Sequence, residues 1–177
     1  KKIEKNKHGY NNTDIILENI GLGAEDKTVK FKQFNESSSS TIKNIDVEST
    51  YYKRKFRLIN FLNKKWVYKK IQIKISKLND YIKKNNIEKI DFLKIDTEGY
   101  EFEILLGLEN KIQLVDIIMF EHHYDNMIKK GYTFTDMNRL LTKNHFKKIY
   151  KSRMPFRKTF EYIYERKESA NWKTLKY

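Results

Sequence analysis

Four side chains capable of acid–base chemistry follow two apolar runs in this sequence. Asp96 and Glu98 come directly after a run at 90–95, and Glu121 and His123 come after a second run. Carboxylates and imidazoles take up and return protons near neutral pH, so they can orient or deprotonate a hydroxyl group. We therefore expect Asp96, Glu98, Glu121 and His123 to act as catalytic residues if the two runs bring them to one crevice.

The elements that must position these residues are predicted from apolar spacing. The runs at 90–95 and 112–120 predict strands that are buried on both faces. Apolar residues at 102–108 recur at intervals of three and four, which predicts a helix between them. A strand at 71–75 and a helix capped by Ser76 come before this unit. Strand, helix, strand, helix and strand predict an α/β sheet, and such sheets bind ligands at the carboxyl ends of their strands.

Further strands are predicted on both sides of this unit. Residues 14–23 and 28–34 predict two strands that are separated by a short turn. Towards the end of the chain, a helix capped by Thr135 precedes strands at 146–151 and 159–165. Because no helix separates these last two strands, they predict an antiparallel pair at the edge of the sheet.

Some of the candidate residues also have simpler interpretations. Lys94 lies in the first apolar run, and because a buried lysine needs a partner, we expect it to pair with Asp96 or Glu121. That ion pair could be purely structural. Glu98 could equally serve as a cap for the helix that follows it. His122 is expected to be an ordinary loop residue.

Two adjacent histidines beside carboxylates also raise the question of a metal site. His122 and His123 lack the spacing of four that places two histidine ligands on one helix face. We therefore predict no metal site.

A ten-residue stretch at 92–101, Phe-Leu-Lys-Ile-Asp-Thr-Glu-Gly-Tyr-Glu, is followed by Leu-Leu-Gly at 105–107. Together they resemble the signature of the FkbM-type methyltransferases, and the resemblance extends over about 14–164. It implies a Rossmann-like class I methyltransferase sheet, mostly parallel, with an antiparallel C-terminal strand pair. It also implies S-adenosylmethionine as the cofactor and a hydroxyl of a sugar, a glycan or another small metabolite as the methyl acceptor.

The same resemblance implies roles for individual residues. Asp96 and Glu98 would contact the amino acid end of the cofactor or the acceptor hydroxyl. Glu121 or His123 would orient or deprotonate the acceptor. Gly21 and Leu22 would lie near the adenine of the cofactor.

One part of the family pattern is missing from this sequence. Members usually begin with a strand and a glycine-rich turn that receive the cofactor, followed by a strand that ends in an acid, and neither precedes residue 14. We therefore expect a sheet that is incomplete at its N-terminus and has an exposed edge. The expected organisation is a polar connector at 1–13, a partial methyltransferase domain at 14–166 and a C-terminal tail at 167–177.

The formal net charge of +14 favours anionic partners. Much of it lies in residues 51–70, where lysines and arginines alternate with aromatic side chains and no acid intervenes. The favoured interpretation is an amphipathic element with Phe56, Ile59, Phe61 and Leu62 facing a core. One alternative is a non-enzymatic basic module that binds RNA or an anionic surface. Another is a basic surface that holds an acceptor substrate with a phosphate group.

Composition also bears on the location of the protein. The sequence contains no cysteine, so it has neither disulfides nor thiolate metal ligands. No apolar run approaches the roughly 20 residues of a membrane span. We predict a cytoplasmic protein without a membrane span, and the sequence leaves its oligomeric state open.

Overall fold

The chain folds into alternating strands and helices. A computed structural model describes residues 15–35, 40–61, 67–155 and 157–167. The strands are β1 (Gly21–Gly23), β2 (Lys27–Phe34), β3 (Asn44–Ile45), β4 (Tyr68–Lys77), β5 (Ile90–Ile95), β6 (Val115–His123), β7 (Ile128–Lys129), β8 (Phe146–Arg153) and β9 (Thr159–Arg166). The helices are α1 (Thr50–Phe61), α2 (Leu78–Lys84), α3 (Glu101–Leu108), a 3-10 helix (Glu109–Leu114) and α4 (Phe134–Lys143).

Several sequence-based predictions concern the ends of the chain. The predicted connector at 1–13 and all but the first residue of the predicted tail at 167–177 lie outside the described residues. In the part of the chain that is described, no helix is long and apolar enough to cross a membrane.

The first sheet contains three strands in the order β1-β4-β2. β2 runs antiparallel to β4 along its whole length, from Lys27 opposite Ile75 to Phe34 opposite Tyr68, and β1 lies parallel to β4. The strand predicted at 14–23 is therefore shorter than expected. Ile16 is 80% exposed, and of the described part of this stretch only Gly21–Gly23 pairs with another strand. A strand forms only where a neighbouring strand satisfies its backbone hydrogen bonds.

The second sheet contains four strands in the order β5-β6-β9-β8. β5 and β6 run parallel, in a register that extends from Ile90 opposite Val115 to Ile95 opposite Phe120. β9 is antiparallel to both β6 and β8. The predicted antiparallel pair at the C-terminal end is therefore confirmed.

The balance of strand directions differs from the prediction of a mostly parallel sheet. The fold is mixed α/β, but among the described residues only β1–β4 and β5–β6 pair in parallel, whereas β2–β4, β3–β7, β6–β9 and β8–β9 are antiparallel. β4 has β1 on one side and the long ladder with β2 on the other, so both of its edges are occupied. Among the described strands, β5 is consequently at the edge of its own sheet.

The burial of β5 is a second difference from the sequence-based prediction. This strand was expected to be buried on both faces, but Phe92 is half exposed and only Ile90, Leu93 and Ile95 contribute to the core. One face of an edge strand can remain open to water. The prediction that Lys94 is buried is therefore wrong, although its ion pair forms as described below.

Helix α3 connects the two sheets through a very close contact. Its buried residues Ile104, Leu105 and Leu108 belong to the main core. Gly107 lies directly on β1, because a Cβ atom at this position would stand 1.9 Å from the carbonyl oxygen of Gly23. Only glycine allows the helix to approach the strand backbone this closely.

Neither of the two predicted helix caps forms at the predicted residue. Thr133, not Thr135, caps α4: its hydroxyl accepts from the Asp136 amide, and the Asp136 carboxylate accepts from the Thr133 amide in return. Ser76 does not cap α2, because β4 continues to Lys77 and the Ser76 hydroxyl donates to Asp26. The residue types in the sequence predict that a helix begins nearby, but contacts with surrounding residues decide which side chain caps it.

Candidate active site

A cavity of about 530 Å³ lies beside the carboxyl ends of β5 and β6. One wall is apolar and comes mainly from the first sheet, and the other carries the carboxylates of the second sheet. Five of the six predicted site residues line it: Gly21, Leu22, Asp96, Glu98 and Glu121. Parallel strands end at the same edge of a sheet, which is why Asp96 and Glu121 meet although 25 positions separate them.

The Glu98 side chain enters this cavity from a turn with unusual backbone angles. Glu98 has φ of 52° and Gly99 has φ of 98°, so two successive residues adopt the left-handed region. Glycine tolerates this conformation, whereas a glutamate there is strained and must be held in place. The Thr41 hydroxyl supports the turn by donating to the Glu98 carbonyl oxygen at 2.7 Å.

The residue that holds the turn is Glu101, which the sequence did not single out. One of its carboxylate oxygens accepts from the Thr97 amide at 3.2 Å and from the Gly99 amide at 3.0 Å, and the other accepts from the Tyr132 hydroxyl. Glu101 is fully buried. Glu101, and not Glu98, accepts from the Thr97 and Gly99 amides that precede α3. The interpretation of Glu98 as a helix cap is therefore wrong, and the Glu98 side chain faces the cavity.

Glu98 faces His123, the sixth predicted site residue, which lies just behind the cavity lining. The Glu98 Oε2 and His123 Nε2 atoms are 3.3 Å apart, and both side chains are largely buried. Burial raises the pKa of Glu98 to about 7, although the cationic His123 and Lys55 act in the opposite direction. A carboxyl group with a pKa near 7 is suited to exchange protons at neutral pH.

On its other side, His123 is held by two residues that the sequence analysis missed. Its Nδ1 atom lies 3.0 Å from the Thr159 hydroxyl and 3.7 Å from the Asp125 carboxylate. Burial acts to lower the pKa of His123, but Asp125 and Glu98 outweigh it, so the pKa is raised. The pKa of Asp125 is lowered, because contact with His123 and the Met127 amide outweighs burial. An acid two residues after His123 was the only sequence signal for Asp125.

Asp96 and Glu121 lie at the mouth of the cavity. Asp96 pairs with Lys94 at 3.3 Å, as predicted, but this ion pair is exposed to solvent. Glu121 is nearly buried, and its pKa is raised by burial and by the negative charge of Asp96. Arg157 brings one cation to the lining.

His122 is not a loop residue. It belongs to β6, is buried, and contacts the rings of Tyr124, Tyr132 and Phe134. Burial lowers its pKa to about 3, and the positive charge of Lys130 acts in the same direction. His122 is therefore a neutral part of the aromatic core.

A second, more polar pocket lies beyond Asp125. It is lined by Asp46, Glu48, Ser49, Thr50, Tyr51, Arg54, Tyr124, Asp125, Asn126 and Lys158. His123 thus stands between this pocket and the cavity, because Glu98 lines one and Asp125 lines the other. In the described ranges, no group of three or more metal-ligating side chains is arranged to hold a metal ion.

The cavity carries the opposite charge to the chain as a whole. Three carboxylates and one guanidinium line it, although the formal net charge of the protein is +14. Carboxylates accept hydrogen bonds from hydroxyl and ammonium groups and favour positive charge. The lining therefore fits a cationic ligand that has an apolar ring and several hydroxyl groups.

These features define a mixed α/β protein with an acid-lined ligand cavity at the carboxyl ends of a parallel strand pair. The methyltransferase FkbM domain matches residues 2–148, so the chain belongs to the FkbM methyltransferase family, as the sequence resemblance indicated. Membership indicates methyl transfer as the type of reaction and a methyl donor as the cofactor. Comparisons with curated proteins and with solved structures give no match.

Proposed function

We propose that this chain transfers a methyl group from S-adenosylmethionine to a hydroxyl group of a sugar or another small metabolite. The observation that carries the proposal is the acid-lined cavity in a strongly basic chain of the FkbM family. S-adenosylmethionine carries a sulfonium and an ammonium cation, an adenine ring and two ribose hydroxyls, and it supplies an electrophilic methyl group. Asp96 and Glu121 would hold the polar groups, and the apolar wall near Gly21 and Leu22 would receive the adenine.

Glu98 is the proposed general base. Its pKa of about 7 allows it to accept the proton of an acceptor hydroxyl as the oxygen forms its bond to the methyl carbon. His123, held by Asp125 and Thr159, keeps the Glu98 carboxylate in position and provides a compensating charge. The strained backbone at Glu98 supports this role, since left-handed residues other than glycine are often found at functional sites.

A polar acceptor is supported by the second pocket. Asp46, Asn126 and Lys158 offer hydrogen-bonding groups there, and Tyr124 adds an exposed aromatic ring. Such a combination binds hydroxyl groups and the apolar faces of sugar rings. The fold also supports the proposal, because a parallel pair followed by a closing antiparallel pair is the ending expected of a Rossmann-like methyltransferase sheet.

The first test is binding of the cofactor to this chain. Thermal unfolding should be measured with and without S-adenosylmethionine and S-adenosylhomocysteine at concentrations up to millimolar, since a ligand that binds only the folded state raises the midpoint. We expect a clear increase. Asp96→Asn should weaken binding about tenfold through loss of a charge-assisted contact.

Asp91→Asn is the matched control, because Asp91 lies in β5, the strand that ends just before Asp96, but is exposed and pairs with Lys89. It should leave the affinity within about twofold of the wild type. A folded wild-type chain without any midpoint shift would contradict cofactor binding by this chain. Equal loss in Asp96→Asn and Asp91→Asn would contradict the assigned site.

Other parts of the sequence-based interpretation stay predictions. They include the cytoplasmic location, the missing N-terminal cofactor-binding strands and the domain boundaries. The alternative function, a non-enzymatic basic module that binds RNA or an anionic surface through 51–70, also stays a prediction; residues 62–66 of that stretch lie outside the described residues.

A further inference from the structure

Helix α1 packs only part of its apolar surface against the rest of the protein. None of its residues is fully buried, but Tyr51, Tyr52 and Ile59 pack against a small cluster formed by Phe34, Met127 and Ile128. The prediction that Ile59 faces a core is therefore confirmed, whereas Phe56 is 40% exposed and Phe61 is 85% exposed. Leu62, which was expected to face the core, lies outside the described residues. A core-facing role therefore does not explain Phe61, nor the exposed Leu58.

The outward face of α1 combines cations with apolar side chains. Arg54, Leu58 and Phe61 are spaced by four and three positions, so they lie along one side of the helix, and Arg57 is adjacent to them. Leu58 is 60% exposed. The helix itself contains no acid, and Lys53, beside this face, pairs with Glu48 of the preceding segment at 2.7 Å. Apolar and cationic groups on one exposed helix face are typical of helices that lie in a membrane interface.

The basic pocket beside Lys32 is not part of this outward face. Tyr52, the residue of α1 that lines the pocket, packs against the inner cluster and is on the opposite side of the helix from Leu58 and Phe61. The Lys32 ammonium group donates to the Lys43 carbonyl oxygen and to the Asn44 side chain. The surface considered for docking is therefore limited to the outward side chains of α1.

We propose that the outward face of α1, formed by Arg54, Arg57, Leu58 and Phe61, docks on an anionic lipid membrane. The cations would attract the negative surface, and Leu58 and Phe61 would enter the boundary between headgroups and acyl chains. A lipid surface is favoured over RNA because single-stranded nucleic acid uses aromatic stacking and cations, and an exposed leucine contributes to neither.

The experiment measures binding of the full chain to vesicles by co-sedimentation. Vesicles of phosphatidylcholine alone are compared with vesicles that also contain phosphatidylglycerol, at low and at physiological salt. We expect binding at least about tenfold tighter to the anionic vesicles, with partial loss as salt rises. Equal binding to both compositions, or no binding to either, would overturn the proposal.

Two pairs of substitutions separate the charge from the apolar contribution. Arg54→Gln with Arg57→Gln should weaken binding about tenfold, because each variant residue no longer attracts an anionic headgroup. Leu58→Ser with Phe61→Ser should weaken it by a similar factor and remove the part that resists salt. Because these four side chains are exposed, the variants should unfold at the same temperature as the wild type, which is measured alongside.

Matched controls use the same chemistry on other surfaces. Lys83→Gln with Lys84→Gln removes two exposed cations from α2, and Ile149→Ser removes an exposed apolar side chain from β8. Both should bind vesicles within about twofold of the wild type. Loss of binding in these controls would show a general charge effect and overturn the proposal.

Two further outcomes identify a different partner. A single-stranded RNA oligomer that binds more tightly than the anionic vesicles, with no effect of Leu58→Ser and Phe61→Ser, would assign the surface to nucleic acid instead. If inorganic phosphate at millimolar concentration displaces the protein from the vesicles, the surface binds phosphate itself and does not need a lipid. Both results would overturn membrane docking, and neither depends on methyl transfer.

Discussion

The substitution Glu98→Gln tests whether the buried carboxyl group is ionised at a cost to stability. Glu98 has a side chain that is only 12% exposed, and burial raises its pKa from 4.5 to about 7. In the unfolded chain, the group ionises near its ordinary value. The folded state resists ionisation between these two pH values, so stability is full below about pH 4.5 and is lost as the pH rises towards 7.

The magnitude follows from the separation of the two pKa values. They lie about 2.5 pH units apart, and each unit corresponds to about 1.4 kcal/mol, so ionisation of Glu98 lowers the free energy of unfolding by about 3 kcal/mol in total. Most of this loss falls between pH 5 and pH 8. Glutamine cannot ionise, so the variant escapes this loss.

His123 does not add a second effect to this result. The cationic imidazole favours the ionised carboxylate and acts to lower the pKa of Glu98, and the value of about 7 already includes that attraction. The stability of Glu98→Gln relative to the wild type should therefore increase with pH because of the Glu98 pKa alone.

The assay is urea unfolding of the wild type and Glu98→Gln at pH 5 and pH 8, followed by far-ultraviolet circular dichroism. The variant should gain roughly 2 to 3 kcal/mol relative to the wild type between these pH values. Glu25→Gln is the control, because Glu25 is 67% exposed in a surface ion pair with Lys27, and its difference should change by less than about 0.5 kcal/mol. A change below about 0.5 kcal/mol for Glu98→Gln, or one of opposite sign, would refute the reasoning.

Three further predictions follow from neighbouring contacts. Tyr132→Phe should lower the free energy of unfolding by about 2 kcal/mol in urea titrations, because the buried Glu101 carboxylate loses a hydroxyl donor. Gly107→Ala should cost about 3 kcal/mol or prevent folding, measured by thermal unfolding, since its Cβ would collide with the carbonyl oxygen of Gly23. S-adenosylmethionine should bind more tightly at pH 8 than at pH 6 by calorimetry, because a cationic ligand favours the ionised form of Glu98.

Each of these has its own contrary result. An unchanged urea midpoint for Tyr132→Phe would mean that the Glu101 turn does not need the tyrosine hydroxyl. Leu106→Ala, on the exposed side of the same helix, should cost less than about 1 kcal/mol, and an equal loss there would remove the steric explanation for Gly107. An affinity that falls from pH 6 to pH 8 would contradict a carboxylate contact with the ligand.

The sequence predicted the core of the second sheet and most of the candidate site. Strand β5, the turn after it and helix α3 were recognisable because apolar period and glycine placement are local signals. Asp96 and Glu121 could be placed together because the ends of neighbouring parallel strands coincide. The same reasoning found the ion pair between Lys94 and Asp96.

The sequence did not predict the side-chain contacts between distant parts of the chain. Thr159 meets His123 only because β9 pairs with β6, and nothing in either local sequence indicates that contact. Likewise, Glu101 rather than Glu98 takes the amides of the turn because the Tyr132 hydroxyl binds it from a separate segment. Side-chain pairing of this kind depends on tertiary geometry, which periodicity does not contain.

The sequence by itself determined the family, the type of reaction and the acids at the strand ends, because these depend on residue identity and on short-range order. Tertiary structure alone decided the division into separate sheets and the exposure of α1. β1 and β2 pair with the two edges of β4, so among the described strands β5 lies at the edge of a separate sheet. Helix α1 has the composition of a core helix or of a surface helix, and only its packing shows that Leu58 and Phe61 face solvent.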